Sequence, residues 1–448
     1  MSDNILNREL KDLAEWTVSY GLKQGADEVE VTVIDSREFE VSVRLGEIEQ
    51  LIEAGSRSLG FRLLCDRKTA TASSSDLNKD TLKGLLRNAV VRAQLGHHDE
   101  FAGLPEKAEF PVDPESLQLY DPFFVTLDPK EKIKLALETE RIALSDKRIT
   151  NSHGAGFSNR EILGTLASSN GFIQQYRETY GHLNVGLQAE ESGQVVEDGW
   201  GHGSRFFKEM ESPEEIARKA MSRTIRLLNP RKIKTQNVPI IFEPDMTSWL
   251  LGFLFSCIAG TSVHRKTTFL ADRLGDRIAD PRITVYDHAL LPKKLGSIPF
   301  DSEGIPGRNK TVIDRGVLKH FLCDTYSARK LGLESTGNAD GGGVGPTNFF
   351  LKNGPTDPAD IIKATAQGLL LTRTIGHGLN SVTGDISRGA VGLWVEGGEI
   401  AYPVSEITIA GNLGGMLEGI DSIGNDLDFS HSVCGPTLKI SEMTIAGE

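Results

Sequence analysis

Hydrophobic and polar residues alternate with two periods along the first 230 residues, and the two periods occur in the same order twice. Residues 5–22 place apolar side chains at helical spacing, strands alternating valine or phenylalanine with charge follow, and a second helix covers 82–93. After a proline-rich linker the order returns, from a helix starting at Asp128-Pro129 to one opened by a capping box at Ser212. Strict alternation is typical of antiparallel sheets with one wet face. The pattern predicts two helix–strands–helix units.

Beyond about residue 235 short strands and glycine-rich turns predominate. The longest apolar run is Trp249–Ala259, too short to span a bilayer, which needs roughly 20 residues. The run predicts a core helix that is buried on every face, capped by Asp245 or Thr247 and stopped by Gly260.

The remaining pattern of this half predicts a hairpin around Asp314-Arg315-Gly316, a helix over Asp357–Leu371 and a hairpin across Glu396-Gly397-Gly398. The fold class is therefore α+β, with a C-terminal half that forms a strand-rich, mixed or barrel-like domain around a buried helix. We expect an N-terminal domain over 1–232, with subunits 1–100 and 120–232, and a C-terminal domain over 233–448.

The net charge and the cysteine pattern limit the binding partners and the cellular compartment that we expect for this protein. The net charge of −13 and the pI near 5.4 disfavour non-specific binding to nucleic acid or to an anionic membrane. The four cysteines are scattered without a Cys-x-x-Cys pair, which fits a reducing compartment. The N-terminus shows no signal-peptide pattern. We therefore expect a cytoplasmic protein with no nucleic-acid and no membrane partner.

Two groups of residues suggest chemistry, each with a plainer alternative. The run Gly341-Gly342-Gly343-Val344-Gly345-Pro346-Thr347 suggests a phosphate loop, but it lacks the Gly-Lys-Ser/Thr ending. A flexible loop beside a binding groove is the favoured interpretation. His377, His431 and Cys434 could meet at a metal, but a chance scatter of polar loop residues is the favoured interpretation.

The other polar candidates are expected to be solvent-exposed and to have no catalytic role. His97-His98 lies in a polar linker and is expected to be solvated. Asp301, Glu303 and Asp314 lie near turns and are expected to be solvated carboxylates.

A combination of motifs resembles the signature of the TldD/PmbA family, and the resemblance covers essentially the whole chain. The motifs are Asp301-Ser302-Glu303-Gly304-Ile305-Pro306-Gly307, Val317-Leu318-Lys319, Ser335-Thr336-Gly337-Asn338, Thr347-Asn348, Ser387-Arg388-Gly389, Trp394-Val395-Glu396-Gly397-Gly398-Glu399-Ile400, Ile407-Thr408-Ile409-Ala410-Gly411-Asn412-Leu413 and Met443-Thr444-Ile445-Ala446-Gly447.

The family resemblance implies two branches that differ in one helix. TldD-like members resemble metallopeptidases with a His-Glu-x-x-x-His helix and a later cysteine as third zinc ligand. The equivalent helix here carries Leu251, Gly252 and Ser256 instead, and Cys434 alone cannot hold zinc. The chain is therefore similar to the PmbA branch, also called TldE, and we expect no catalytic residue, no metal ligand and no cofactor in it, with zinc in a partner subunit.

The resemblance also implies partners and a function. It implies a heterodimer with a TldD-like chain that degrades unfolded peptides and takes part in microcin maturation and antitoxin turnover. Gly343, Thr347, Asn348 and Phe349 are the expected lining of a peptide groove. Proteolysis is expected only in the mixed complex, and homodimerisation of the isolated chain stays open. The alternatives are a regulatory protein that modulates DNA gyrase without proteolysis and a homodimeric metallopeptidase with unrecognised ligands.

Overall fold

The computed structural model describes residues 2–109 and 111–448, apart from the side chains of residues 2–5. The N-terminal helices are α1 (Ser2–Lys23), α2 (Lys79–Leu95), α3 (Phe123–Thr126), α4 (Pro129–Ala143) and α5 (Pro213–Ile225). The strands of this half are β1 (Glu28–Arg44), β2 (Glu47–Cys65), β3 (Lys68–Ser74), β4 (Ile149–Ser168), β5 (Ile173–Glu191) and β6 (Gln194–Ser204). The two predicted helix–strands–helix units are both present.

The two units share one antiparallel sheet with the strand order β3-β2-β1-β4-β5-β6. They join where β1 pairs with β4, in register from Glu30↔Ser168 to Val43↔Ala155. Odd-numbered β1 residues face the helices: Val29–Val33 pack into one core with α1 and α2, and Phe39–Val43 pack into another with α4 and α5. The opposite face of the sheet is thereby left to meet the C-terminal half.

The C-terminal helices and strands follow the same chain order. The helices are α6 (Pro244–Ile258), α7 (Gly260–His264), α8 (Thr325–Leu331), α9 (Pro358–Lys363) and α10 (Leu413–Glu418). The strands are β7 (Gln236–Phe242), β8 (Val285–His288), β9 (Asn309–Asp314), β10 (Val317–Leu318), β11 (Ala339–Asp340), β12 (Gly343–Val344), β13 (Asn348–Leu351), β14 (Gln367–Ile375), β15 (Leu379–Asn380), β16 (Asp385–Glu396), β17 (Glu399–Asn412), β18 (Ile420–Ile423), β19 (Val433–Cys434) and β20 (Leu438–Ala446).

Five of these strands close a barrel in the order β14-β7-β20-β17-β16, with β16 pairing back to β14. A second sheet, β10-β9-β8-β13-β19, lies beside it, and α6 packs against strands of both. The strand-rich, barrel-like C-terminal half is confirmed, as are the hairpins at Asp314-Arg315-Gly316 and Glu396-Gly397-Gly398. No helix in the described ranges is long and apolar enough to cross a bilayer.

The predicted helix over Asp357–Leu371 is wrong in its second half. Helix α9 ends at Lys363, and Gln367 begins barrel strand β14. In that strand Leu369 and Leu371 face the main core, whereas Leu370 faces a separate cluster with Ile241. A strand buried on both faces has no polar alternation, so its apolar run could not be told from a helix by periodicity.

Helix α6 differs from its prediction at both ends and on one face. Glu243 precedes it without a side-chain cap and Pro244 occupies its first turn, while Gly260 opens α7 after the chain bends at Ala259. Leu250, Leu251, Leu254 and four other side chains are buried. Ser256, however, is exposed, and a Cβ placed on Gly252 would have no neighbour within 4 Å. The helix is therefore a core helix with one partly open face.

Candidate functional site

Two connected cavities lie between the C-terminal half and the face of the N-terminal sheet that is not covered by helices. The first has a volume of about 360 Å³ and the second of about 690 Å³. Thr32 on β1 and the Ser302 and Ala339 positions opposite line both cavities. Cavities between domains are common sites for ligands. We call the two together the interdomain cleft.

The loop 301–307 forms the C-terminal wall where the two cavities meet, and Asp301 holds its shape. Asp301 is 3% exposed; its Oδ1 accepts hydrogen bonds from the backbone N–H groups of Glu303 and Ile305 (2.9 Å each), and its Oδ2 accepts one from Ala339 (2.9 Å). Burial, together with the charge of Glu303, raises the pKa of Asp301 to about 7. The expectation that Asp301 and Glu303 are solvated turn residues is wrong, because both carboxyls organise a buried loop.

Arg62 links this loop to the N-terminal sheet. Its Nη2 lies 3.3 Å from Glu303 Oε1 and 3.4 Å from Glu30 Oε2, so one guanidinium bridges two carboxylates across the domain boundary. The second oxygen of Glu303 accepts the backbone N–H of Thr325 at the start of α8 (2.8 Å). Burial raises the pKa of Glu30 to about 7, and Arg62 opposes that rise. The interdomain contact therefore contains a carboxyl that titrates near neutrality.

This raised pKa gives a pH dependence of stability with a defined sign. Below about pH 4.5 Glu30 is protonated in both the folded and the unfolded chain. Between about 4.5 and about 7 the folded chain holds the proton that the unfolded chain has lost, so the free energy of unfolding falls as pH rises. We expect Glu30→Gln to stabilise the chain relative to wild type more at pH 8 than at pH 5, measured by urea unfolding.

Glu38→Gln, which removes an exposed carboxyl from the same strand, is the matched control. A Glu30→Gln difference from wild type that is the same at pH 5 and pH 8 would contradict the assignment.

A second buried network lies behind the C-terminal wall of the first cavity, where Asn338 and Thr347 line it. Asp287 on β8 is 0% exposed, and Lys310 Nζ lies 3.0 Å from its Oδ2. Asn338 donates from Nδ2 to the same oxygen (2.8 Å), and the backbone N–H of Thr347 donates to Oδ1 (2.8 Å). Lys310 also donates to the Thr336 carbonyl (2.9 Å). Two of the signature motifs therefore converge on Asp287, a residue that no sequence motif singled out.

The four residues expected to line a groove are placed differently by the structure. Gly343 lines the second cavity, in the short β11–β12 hairpin, and Thr347 lines the first. Asn348 is 0% exposed; its amide donates to the His288 carbonyl (2.7 Å) and to Ser297 Oγ (2.8 Å). Phe349 is also fully buried and packs against Phe255 of α6. These two side chains belong to the core, which corrects the expectation that they line the groove.

The three α6 positions that the family resemblance equates with two zinc ligands and a base offer no donor set for zinc. Leu251 is buried, Gly252 has no side chain and Ser256 bonds its own helix through the Phe253 carbonyl (2.7 Å). Cys434 lies close by, because a Cβ on the adjacent Gly435 would meet Leu251 Cδ1 at 3.0 Å. Burial raises the pKa of the Cys434 thiol to about 12, and this single thiol is short of the three protein ligands that a catalytic zinc needs.

The histidines add no alternative set of ligands. His97, His98, His377 and His431 are exposed. Within 2–109 and 111–448 no group of three or more His, Cys, Asp or Glu side chains is arranged to hold a metal. The residues present do not fit a catalytic zinc, which requires three protein ligands.

Comparison with known proteins identifies the fold's relatives. Models of the PmbA/TldA metallopeptidase match in three stretches: domain 1 over 29–93, the central domain over 124–228 and the C-terminal domain over 235–447. A protein named Metalloprotease PmbA, from Escherichia coli O157:H7, is 38% identical over 425 residues, which are 94% of this chain and 93% of the relative. The chain belongs to the PmbA/TldD family.

Solved structures of similar chains share the architecture of this PmbA/TldD family member. A candidate modulator of DNA gyrase from Bacteroides thetaiotaomicron has a TM-score of 0.91 at 27% identity, covering 98% of this chain and 99% of that one. TldE from Thermococcus kodakarensis has a TM-score of 0.88 at 24% identity, covering 97% and 100%. The loop 301–307, the Asp287 network and α6 all lie within the C-terminal family domain.

Proposed function

We propose that this chain is the non-catalytic, TldE-like subunit of a cytoplasmic zinc peptidase, and that it works in a heterodimer with a TldD-like chain. The complex would degrade unfolded peptides and take part in peptide processing such as microcin maturation and antitoxin turnover. Membership of a metallopeptidase family supports the link to proteolysis. The TldE structure supports the assignment to this fold.

The observation that carries the proposal is a complete scaffold around a helix without ligands. Hydrogen bonds hold the loop at Asp301, an ion pair holds the network at Asp287, and the five barrel strands close. At the three positions where the resemblance places two ligands and a base, α6 has Leu251, Gly252 and Ser256. A chain that keeps the scaffold and lacks the donor set is most simply a supporting subunit, with zinc held by the partner.

The interdomain cleft is the proposed peptide groove of this subunit. Its two cavities meet at Thr32, Ser302 and Ala339, so an extended chain can continue from one into the other. The glycine-rich tip at Gly341 and Gly342 lies beside the second cavity and has positive φ angles of 55° and 103°. Backbone in this region of φ is open to glycine at no steric cost, so the loop presents backbone rather than side chains.

Affinity capture separates the proposal from its alternative. The alternative is a regulator of DNA gyrase, which the description of the Bacteroides relative favours. Purified, tagged chain is incubated at equal concentration with a TldD-like chain and with gyrase subunits in about 0.15 M salt. We expect one-to-one capture of the TldD-like chain and none of gyrase. Capture of gyrase alone would replace the proposal with the alternative.

A further inference from the structure

The first cavity has an apolar wall contributed by both halves of the chain. Tyr176 and Phe300 meet there edge to face, with ring centroids 5.7 Å apart, and Phe172 supports Phe300 from behind at 5.1 Å. Leu119 and Leu166 extend this surface on the N-terminal side. Leu166, Phe172 and Phe300 form a small hydrophobic cluster of their own, separate from the main cores. The wall is therefore held by its own packing.

The buried charged side chains in the wall are already compensated. Arg205 is 5% exposed; its Nη1 lies 2.7 Å from Glu178 Oε2, and it donates to the carbonyls of Lys294 (3.0 Å) and Leu295 (2.8 Å). Asp301 accepts three backbone N–H groups. A carboxylate entering the cavity would lose water without meeting an uncompensated cation, because Arg205 is already paired, which disfavours anionic ligands.

Two glycines show that the wall is closely packed before any ligand enters. A Cβ on Gly296 would lie 2.4 Å from the Thr347 carbonyl oxygen, and one on Gly345 would lie 2.7 Å from Asp340 Oδ2. Backbone therefore lies directly against backbone at Gly296, and against the Asp340 side chain at Gly345. A preformed wall lowers the ordering cost of binding.

We infer that the first cavity is a side-chain pocket, which takes one bulky uncharged apolar residue, such as phenylalanine or leucine, from an extended peptide in the cleft. The inference rests on the proposed function and adds a substrate preference to it. A volume of about 360 Å³ lies at the small end of the range for ligand pockets. The opening toward the second cavity at Thr32 and Ser302 leaves a path for the peptide on either side of that residue.

Capped pentaglycine peptides with one central residue changed to Phe, Leu, Ala or Asp are the probes. Their dissociation constants are measured by calorimetry with the full-length chain. We expect the Phe and Leu peptides to bind at least about tenfold more tightly than the Ala peptide, a difference of about 1.4 kcal/mol, because they bury a larger apolar side chain. The Asp peptide should bind no better than Ala. Equal affinities for all four peptides would overturn the inference.

Variants of the wall locate the binding. Ser302→Phe fills the cavity from the C-terminal side and Thr32→Leu from the N-terminal side, so either variant should abolish the preference for Phe and Leu. Ser222→Phe, on the exposed face of α5, is the matched control and should keep it. If one wall variant fails to fold, the other decides. A preference that survives in a folded wall variant places the binding elsewhere and contradicts the pocket.

These outcomes are separable from those of the proposed function. Binding is measured on the isolated chain and needs no hydrolysis. If the chain captures a TldD-like partner but binds all four peptides equally, the pocket is refuted and the subunit role stands. If the chain prefers the Phe and Leu peptides but captures no TldD-like partner, the subunit role is refuted and the pocket stands.

Discussion

Hydrolysis of an unstructured peptide is expected only when this chain is mixed with a TldD-like partner, and each chain alone should show little or none. The reason is that neither chain alone would contain both the zinc ligands and the complete substrate site. The partner would supply the zinc-bound water that attacks the peptide bond. This chain would supply one wall of the shared site through the loop at Asp301 and the network at Asp287. The rate is measured as the fluorescence that appears when a quenched peptide is cleaved, with and without chelator.

A substitution in the partner's zinc motif and one at Cys434 of this chain should then differ in their effect on this activity. Disrupting the His-Glu-x-x-x-His motif of the partner should abolish hydrolysis. Cys434→Ala here should leave it largely intact, because the buried thiol lies beside α6 as a packing group. A partner that is fully active alone and gains nothing from this chain would refute the shared site.

Asp287→Ala is expected to lower the free energy of unfolding by about 3–5 kcal/mol, the usual cost of removing one partner of a buried ion pair. The substitution leaves the ammonium of Lys310, which is 9% exposed, without its carboxylate. It also leaves the Thr347 N–H without an acceptor and removes one of the two acceptors of the Asn338 amide, which keeps the Gly345 carbonyl. Guanidinium unfolding monitored by circular dichroism measures the change.

Two further variants make this result specific. Asp314→Ala removes a carboxylate from the exposed pair with Arg315, at 3.7 Å, and should cost no more than about 1 kcal/mol. Asp287→Asn combined with Lys310→Met keeps an acceptor for Thr347 and removes the buried charge, so it should recover part of the loss. A cost for Asp287→Ala as small as that for Asp314→Ala would mean that the network does not hold the wall.

The sequence predicted most of the N-terminal sheet because its strands bury one face only. It missed the length of those strands where polar residues interrupt the pattern. The alternation predicts two strands here, Glu28–Ile34 and Glu38–Leu45, yet Asp35 and Ser36 between them are buried within the single strand β1. Asp35 pairs with Arg57, and Ser36 Oγ lies 2.9 Å from Ser56 Oγ, so cross-strand polar pairs replace apolar packing there.

The candidate site was predicted less completely, for a related reason. Motifs around Asp301, Asn338 and Thr347 were recognised, but their roles depend on contacts across long separations in the chain. Glu303 and Arg62 are 241 residues apart, and Thr347 and Asp287 are 60 apart. Side chains that bond to distant backbone have no periodic signature, so Asp301 and Glu303 resembled ordinary turn carboxylates. The interdomain cleft follows from the assembled domains and not from any single segment.

Zinc content of the purified full-length chain is the measurement that tests the non-catalytic role most directly. The chain is incubated with excess zinc, passed through a desalting column and analysed by elemental spectrometry beside Cys434→Ala. We expect well below one zinc per chain in both proteins, since Leu251, Gly252 and Ser256 offer no donor set and Cys434 alone cannot hold zinc. Near-stoichiometric zinc in the wild type that is lost in Cys434→Ala would contradict the account.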